Sequence, residues 1–201
     1  MIPAGQLAGA VLAGGYSRRM GQDKATLLVD AQPLWMRQVA LLRAAGATNV
    51  GMVRRPDQEA LPLPAGIPLW LDAVKDAGPI AGLQAALSAV SSNWLAVVAI
   101  DLPRLDAGWF TWLAGSCAPE RGAIVHHPTG EFEPLAAIYP RAALAEVAAR
   151  LSGPDFSLQA LATTLVAHGR LTSIPLPEAE LWRLENWNSP ADAAFSAADP
   201  V

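Results

Sequence analysis

Leu7-Ala8-Gly9-Ala10-Val11-Leu12-Ala13-Gly14-Gly15-Tyr16-Ser17-Arg18-Arg19-Met20-Gly21-Gln22-Asp23-Lys24 is the stretch on which the reading of this chain turns. Its first six residues are an uncharged, mostly apolar run of strand length, and Ala13-Gly14-Gly15 ends it. Beyond the loop, Pro33 stands at a first helical position, Trp35, Val39 and Leu42 follow at i, i+4 and i+7, and Gly46 closes the segment. This is one strand–loop–helix unit. Asn49 to Val53 repeats the strand pattern, and Pro56, Pro62, Pro64 and Pro68 keep the next segment irregular until Leu69 to Leu71. Ile80, Leu83, Leu87 and Val90 share a helical face, and Trp94 to Ile100 is a continuous apolar run suited to a strand buried on both sides. Short strands alternating with helices predict a mostly parallel α/β sheet. Further on, strands are expected at Gly122 to Val125 and Leu135 to Tyr139, and helices at Ala142 to Leu151 and Leu158 to Val166. A short helix and a frayed tail are expected after Ala191.

The 201 residues suit a single domain, expected over 1–194 with a tail at 195–201. With 52% hydrophobic and 16% charged residues there is ample material for a core, and a net charge of −4 argues against a protein that coats nucleic acid. The longest uncharged stretch, Ala77 to Ile100, contains Pro79, Gln84, Ser91, Ser92 and Asn93, so it reads as helix, turn and strand, not as a membrane span. No cation precedes the apolar run at the N-terminus and two arginines follow it, the reverse of a secretory signal. A cytoplasmic protein with no membrane partner is the expectation. The single cysteine, Cys117, reads as a buried small hydrophobe.

Three of the 14 cations, Arg18, Arg19 and Lys24, fall within seven positions directly after the first strand and among glycines. Glycines let backbone N–H groups approach phosphate oxygens, and Arg and Lys supply the balancing charge, so an anion site is implied. The spacing fits neither a P-loop, since Gly21 is followed by Gln22 and Lys24 by Ala25, nor the dinucleotide fingerprint G-x-G-x-x-G. A hydrolase elbow fails as well, because Gly15-Tyr16-Ser17-Arg18 leads to Arg19. A second element, Asp72-Ala73-Val74-Lys75-Asp76-Ala77-Gly78-Pro79, sets carboxylates and the other lysine before a helix start, with Asp76 read as decorating the helix N-terminus or the base region. The third, Ile100-Asp101-Leu102-Pro103, places a carboxylate at the end of a buried strand, where open α/β sheets bind ligands; beside phosphates it is a natural Mg²⁺ ligand. His126-His127 invites a metal reading, but adjacent strand residues point apart and a loop or sheet-edge role is expected.

Leu12-Ala13-Gly14-Gly15-x-Ser17-x-Arg19-Met20-Gly21-x-Asp23-Lys24, then Asp72 six residues before Gly78-Pro79-x-x-Gly82, then Asp101-x-Pro103, resemble the molybdenum cofactor guanylyltransferase family of nucleotidyltransferases. Glu133-Pro134-Leu135 to Tyr139 also fits, and Glu185-Asn186-Trp187-Asn188-Ser189-Pro190-x-Asp192 is similar to that family's Asn-x-Asn-Thr-Pro-x-Asp, with Ser189 for Thr and a bulky Trp187 between the two Asn. The resemblance implies a three-layer Rossmann-like, glycosyltransferase-A-like nucleotidyltransferase fold, and transfer of GMP from GTP to molybdopterin with Mg²⁺ and release of pyrophosphate. It implies that Leu12, Ala13, Gly14, Gly15 and Gly78 hold the nucleotide, that Arg19 and Lys24 neutralise the triphosphate, that Asp101 anchors Mg²⁺, and that Asp72 accepts from guanine. Asn186 and Asn188 are expected at the acceptor. A molybdoenzyme or its chaperone is a further partner the resemblance suggests. Transfer from CTP, another phosphorylated acceptor, or a non-catalytic cofactor carrier remain alternatives at this point.

Overall fold

A computed structural model describes residues 2–15, 23–29, 31–72 and 74–187. In chain order the elements are β1 (Leu7–Leu12), a 3-10 turn (Lys24–Thr26), the short hairpin β2 (Leu28–Val29) and β3 (Gln32–Pro33), α1 (Leu34–Ala44), β4 (Asn49–Arg54), β5 (Leu69–Leu71), α2 (Pro79–Ala89), β6 (Trp94–Ala99), α3 (Ala107–Gly115), β7 (Gly122–His126), β8 (Ala136–Pro140), a 3-10 turn (Arg141–Ala143), α4 (Leu144–Leu151), α5 (Leu158–Ala167), β9 (Leu171–Pro175) and a last 3-10 segment (Glu178–Leu184). A seven-stranded sheet in the order β5-β4-β1-β6-β8-β7-β9 forms the centre. β8 alone runs against its neighbours β6 and β7, and the remaining pairings are parallel.

Alternation along the central strands divides the core into two faces. Leu7 and Val11 of β1 and Trp94, Ala96 and Val98 of β6 pack with α1 and α3 residues such as Trp35, Leu42, Phe110 and Leu113. Ala8, Ala10, Leu95 and Val97 face the other way, against Ile80, Leu83 and Leu87 of α2, Val147 of α4 and Leu161 of α5. Every residue of β1 and β6 is buried, as expected for parallel strands covered by helices on both sides. The result is the helix–sheet–helix arrangement expected from the sequence. On the β5 side, Trp70 lies flat against Gly51, where a Cβ would stand 2.7 Å from the indole ring; only glycine admits that approach.

Several expectations need adjustment. β7 runs on to His126, one residue longer than read, and β8 is displaced by one residue to Ala136–Pro140. α3 had no counterpart in the sequence reading: Ala-Gly-Trp-Phe-Thr-Trp-Leu-Ala-Gly has no polar stripe and two glycines, yet Asp106 caps it by accepting from the Trp109 N–H and the core takes up Trp109, Phe110 and Leu113. β9 was missed as well, being a half-polar Leu-Thr-Ser-Ile-Pro that β7 recruits in parallel. α2 has Gly78 as its N-cap and no side-chain cap, so Asp76, with φ of +59°, belongs to the preceding turn and does not cap the helix. His126 Nδ1 meets Ser173 Oγ at 2.7 Å and His127 Nε2 meets Glu133 Oε1 at 2.6 Å, two separate structural pairs. Cys117 is buried, and desolvation pushes its thiol up to about 12. No helix among the described residues is long and apolar enough to cross a membrane. The segment expected to form a short helix and tail after Ala191 lies outside the described residues.

Candidate active site

β1 lies between β4 and β6, and the chain passes from the β4–β5 side of β1 to the β6 side through α2. That reversal opens a crevice at the carboxyl ends of the parallel strands. A cavity of about 630 Å³ occupies it. Leu12, Ala13, Gly14, Gly15, Lys24, Asp72, Gly78 and Asp101, all singled out from the sequence, line this one cavity. The N-terminus of α2, Gly78-Pro79, faces it with the positive end of the helix dipole. Arg19 and Asn188 lie outside the described residues. Asn186 is exposed and does not line the cavity. Its neighbour Trp187 is buried and donates its N–H to the Asp101 carbonyl at 3.0 Å, so the bulky residue between the two asparagines anchors the C-terminal segment beside Asp101.

The loop after β1 continues both ladders for a residue. The Ala13 N–H donates to the Val53 carbonyl at 2.9 Å and the Ile100 N–H to the Leu12 carbonyl at 3.0 Å. From the turn after β4, Gln58 Nε2 donates to the Ala13 carbonyl at 2.9 Å and Arg55 Nη1 to the Gly14 carbonyl.

Lys24 is set by its predecessor. Asp23 caps the 3-10 turn by accepting from the Ala25 N–H at 2.9 Å, and its other oxygen accepts from Arg54 Nη2 at 2.5 Å. Arg54 is 2% exposed and also donates to the Glu59 carbonyl. From this turn Lys24 Nζ reaches Asp101 Oδ2 at 3.0 Å. The Asp101 turn is held from beneath by α1: fully buried Gln38 donates to the Leu102 carbonyl at 2.9 Å, and Arg37 Nε to the Pro103 carbonyl at 3.2 Å.

Asp72 follows β5, with its N–H donating to the Arg54 carbonyl and its Oδ2 against Gly14, where a Cβ would stand 3.4 Å away. It is only 9% exposed, and no hydrogen bond from the described residues reaches its carboxylate. Desolvation raises its pKa, partly offset by the Arg55 guanidinium, with Asp57 adding to the rise. A desolvated carboxylate with a nearby cation, and no donor among the described residues, is suited to receive donors from a ligand.

Asp23, Arg55 and Leu135 also belong to the cavity lining, although the sequence reading assigned them no role. Two cations at the carboxyl end of β4 were the available signal. Which one turns inward depends on the fold: Arg54 is consumed by Asp23, and Arg55 faces the cavity. Among the described residues no group of three or more His, Cys, Asp or Glu side chains comes together as a metal cage. Asp101, its side chain 28% exposed, stands in the cavity that carries the glycine loop without other described carboxylates clustered on it. That donor set fits Mg²⁺, which prefers one or two carboxylates supplemented by substrate phosphates and water.

Residues 9–167 match the family model described as a MobA-like NTP transferase domain. The chain is 46% identical over 192 residues to a probable molybdenum cofactor guanylyltransferase of Opitutus terrae, with 94% of each chain covered. It is 34% identical over 160 residues to one of Deinococcus radiodurans, with 79% of each covered. Among solved structures, the molybdopterin-guanine dinucleotide biosynthesis protein A of Archaeoglobus fulgidus superposes with a TM-score of 0.69 at 22% identity, covering 94% of this chain and 96% of that one. A 4-diphosphocytidyl-2C-methyl-D-erythritol synthase of Anaerococcus prevotii reaches 0.70 at 9% identity, covering 98% and 96%. At these identities the structural likeness speaks for the fold.

Proposed function

Since the chain belongs to the MobA-like NTP transferase family, we propose that it transfers GMP from GTP to the terminal phosphate of molybdopterin, giving molybdopterin guanine dinucleotide and pyrophosphate. The observation that carries the choice of nucleotide is Asp72, a carboxylate 9% exposed with no donor among the described residues. Guanine presents N1–H and N2–H₂ side by side, two donors for two carboxylate oxygens. Adenine and cytosine each offer one donor group on that edge, next to an acceptor that the carboxylate repels.

Each residue then has a definable task. The loop Leu12 to Gly15 packs against the nucleotide, and its glycines leave room for the base beside Asp72. Lys24 supplies positive charge opposite the negative charge that builds on the departing pyrophosphate, and Arg19 joins it there. Asp101 would hold Mg²⁺, which when bound screens the phosphate oxygens and makes the α-phosphorus more electrophilic. Lys24 and Asp101 are held together at 3.0 Å in the cavity lining, and in this reading catalysis draws on positioning and charge, with no covalent intermediate. Asn186 and Asn188 are assigned to the acceptor, and what supports this is their sequence neighbour Trp187, whose N–H donates to the Asp101 carbonyl. A cytoplasmic site of synthesis and hand-over of the product to a molybdoenzyme or its chaperone complete this reading.

The test is pyrophosphate release from molybdopterin, Mg²⁺ and each of GTP, CTP, ATP and UTP. GTP should be used far ahead of the others. The absence of release with any of the four nucleotides refutes the transferase, and a preference for CTP refutes the role of Asp72.

A further inference from the structure

Two successive carbonyls of the glycine loop, Ala13 and Gly14, are both bound by side chains from the turn after β4: Gln58 Nε2 takes the first at 2.9 Å and Arg55 Nη1 the second. A trans peptide points its N–H opposite to its C=O. Turning both carbonyls towards β4 therefore turns the Gly14 and Gly15 N–H groups the other way, towards β6, where Lys24 and Asp101 stand. In a regular strand successive N–H groups alternate sides; here two point together, the concave arrangement of backbone donors that receives an anion. Neither N–H has an acceptor among the described residues.

We infer that Gln58 is a positioning residue for the nucleotide's phosphates, acting with Arg55 by locking the peptide planes of the glycine loop. Gln58 is well placed for this because its own orientation is set: Oε1 accepts from the Arg55 N–H at 2.8 Å while Nε2 reaches the loop. It does not line the cavity itself, so its effect on a ligand passes through the backbone of Ala13 to Gly15. Arg55 contributes the second tether and is steadied by Asp57 at 3.0 Å. This inference rests on the nucleotidyltransferase reading and adds to it a residue outside the Leu12 to Lys24 segment.

The test uses the full-length protein with Gln58→Met, which keeps length and volume but can neither donate nor accept, and Gln58→Leu as an independent replacement. GTP and guanosine affinities are measured by calorimetry, kcat by pyrophosphate release at saturating GTP, and the melting temperature by heat denaturation. Loss of well-aimed donors to a charged phosphate should weaken GTP binding about tenfold or more. Guanosine affinity should stay within about twofold, kcat within about threefold and the melting temperature within about 2 °C, because base contacts, chemistry and core are untouched. Wild-type GTP affinity in both variants overturns the inference alone, as does an equal loss for guanosine and GTP, which would mean a general loosening of the pocket. A wild-type protein that binds no GTP overturns the nucleotidyltransferase reading, and this inference with it.

Discussion

Asp72→Asn is the most informative single substitution, because it should move stability and activity in opposite directions. The carboxylate is 9% exposed, receives no hydrogen bond from the described residues, and has its pKa raised by desolvation. A carboxyl whose folded-state pKa lies above the unfolded value contributes most to stability in acid, and that contribution is lost as pH rises through the raised value. At neutral pH, Asp72 is therefore a destabilising charge. The isosteric amide keeps the buried polar atoms and removes the charge, with a gain of about 1 kcal/mol, on the order of the difference between a charged and a neutral unsatisfied polar group. For a chain of this length that is a rise of about 2–4 °C in melting temperature at pH 7. The gain should shrink as pH falls through the raised pKa, where Asp72 itself becomes neutral. For activity the sign reverses. On the proposed reading two guanine donors would meet the wild-type carboxylate, each bond to a charged group being worth about 1.5–3 kcal/mol. The amide offers one neutral acceptor and turns an N–H₂ on the other donor, so about 3 kcal/mol is lost, roughly a hundredfold in kcat/KM for GTP. Inosine triphosphate lacks the 2-amino group and should lose less, so the wild-type preference for GTP over it narrows in the variant. Heat denaturation across pH 4–8 and pyrophosphate kinetics with both nucleotides read these effects, the pH range spanning the carboxyl titration. Unchanged kcat/KM for GTP, or a lower melting temperature at neutral pH, would refute the reasoning.

Asp101→Asn should reduce kcat by about a hundredfold or more, the scale of losing one preorganised charge at a reacting phosphate, while the melting temperature stays within about 2 °C because the side chain is 28% exposed; activity titrated against Mg²⁺ would reveal whether excess metal restores it. Arg54→Met removes the buried guanidinium that holds Asp23 and the Glu59 carbonyl. Asp23 keeps 27% exposure and can recruit water, so the expected destabilisation is about 1–2 kcal/mol, less than for a fully buried pair. With the Lys24 turn loosened, kcat should fall about tenfold; because the single nitrogen Arg54 Nη2 serves both acceptors, Arg54→Lys, whose ammonium also carries several donors on one nitrogen, should recover part of the loss.

Much of the architecture was legible because its signals are local. The apolar run Leu7 to Leu12, the Pro33-to-Gly46 helix frame and the buried run ending at Asp101 each declare themselves over a short stretch of sequence, and β1, α1 and β6 formed at those places. α3 escaped because apolarity on every side leaves no period to detect, and β9 because its half-polar Leu-Thr-Ser-Ile-Pro shows neither an apolar run nor a clean alternation. The site divides in the same way. Leu12 to Gly15, Lys24, Asp72, Gly78 and Asp101 were named from motif and spacing and share one cavity, whereas Arg55 and Gln58 carry no motif.

By itself the sequence determined which residues stand at strand ends and helix starts, since backbone preference and hydrophobic period act over short range. Tertiary structure alone decided which of those ends meet. Lys24 and Asp101 are 77 residues apart and Arg54 and Asp23 are 31 apart, yet both pairs form because β1 is laid between β4 and β6. It also decided that Asp72 would be desolvated, with no donor to its carboxylate among the described residues. That condition depends on the packing of β5, Gly14 and Arg55 around it, a property of the assembled crevice that no stretch of sequence contains.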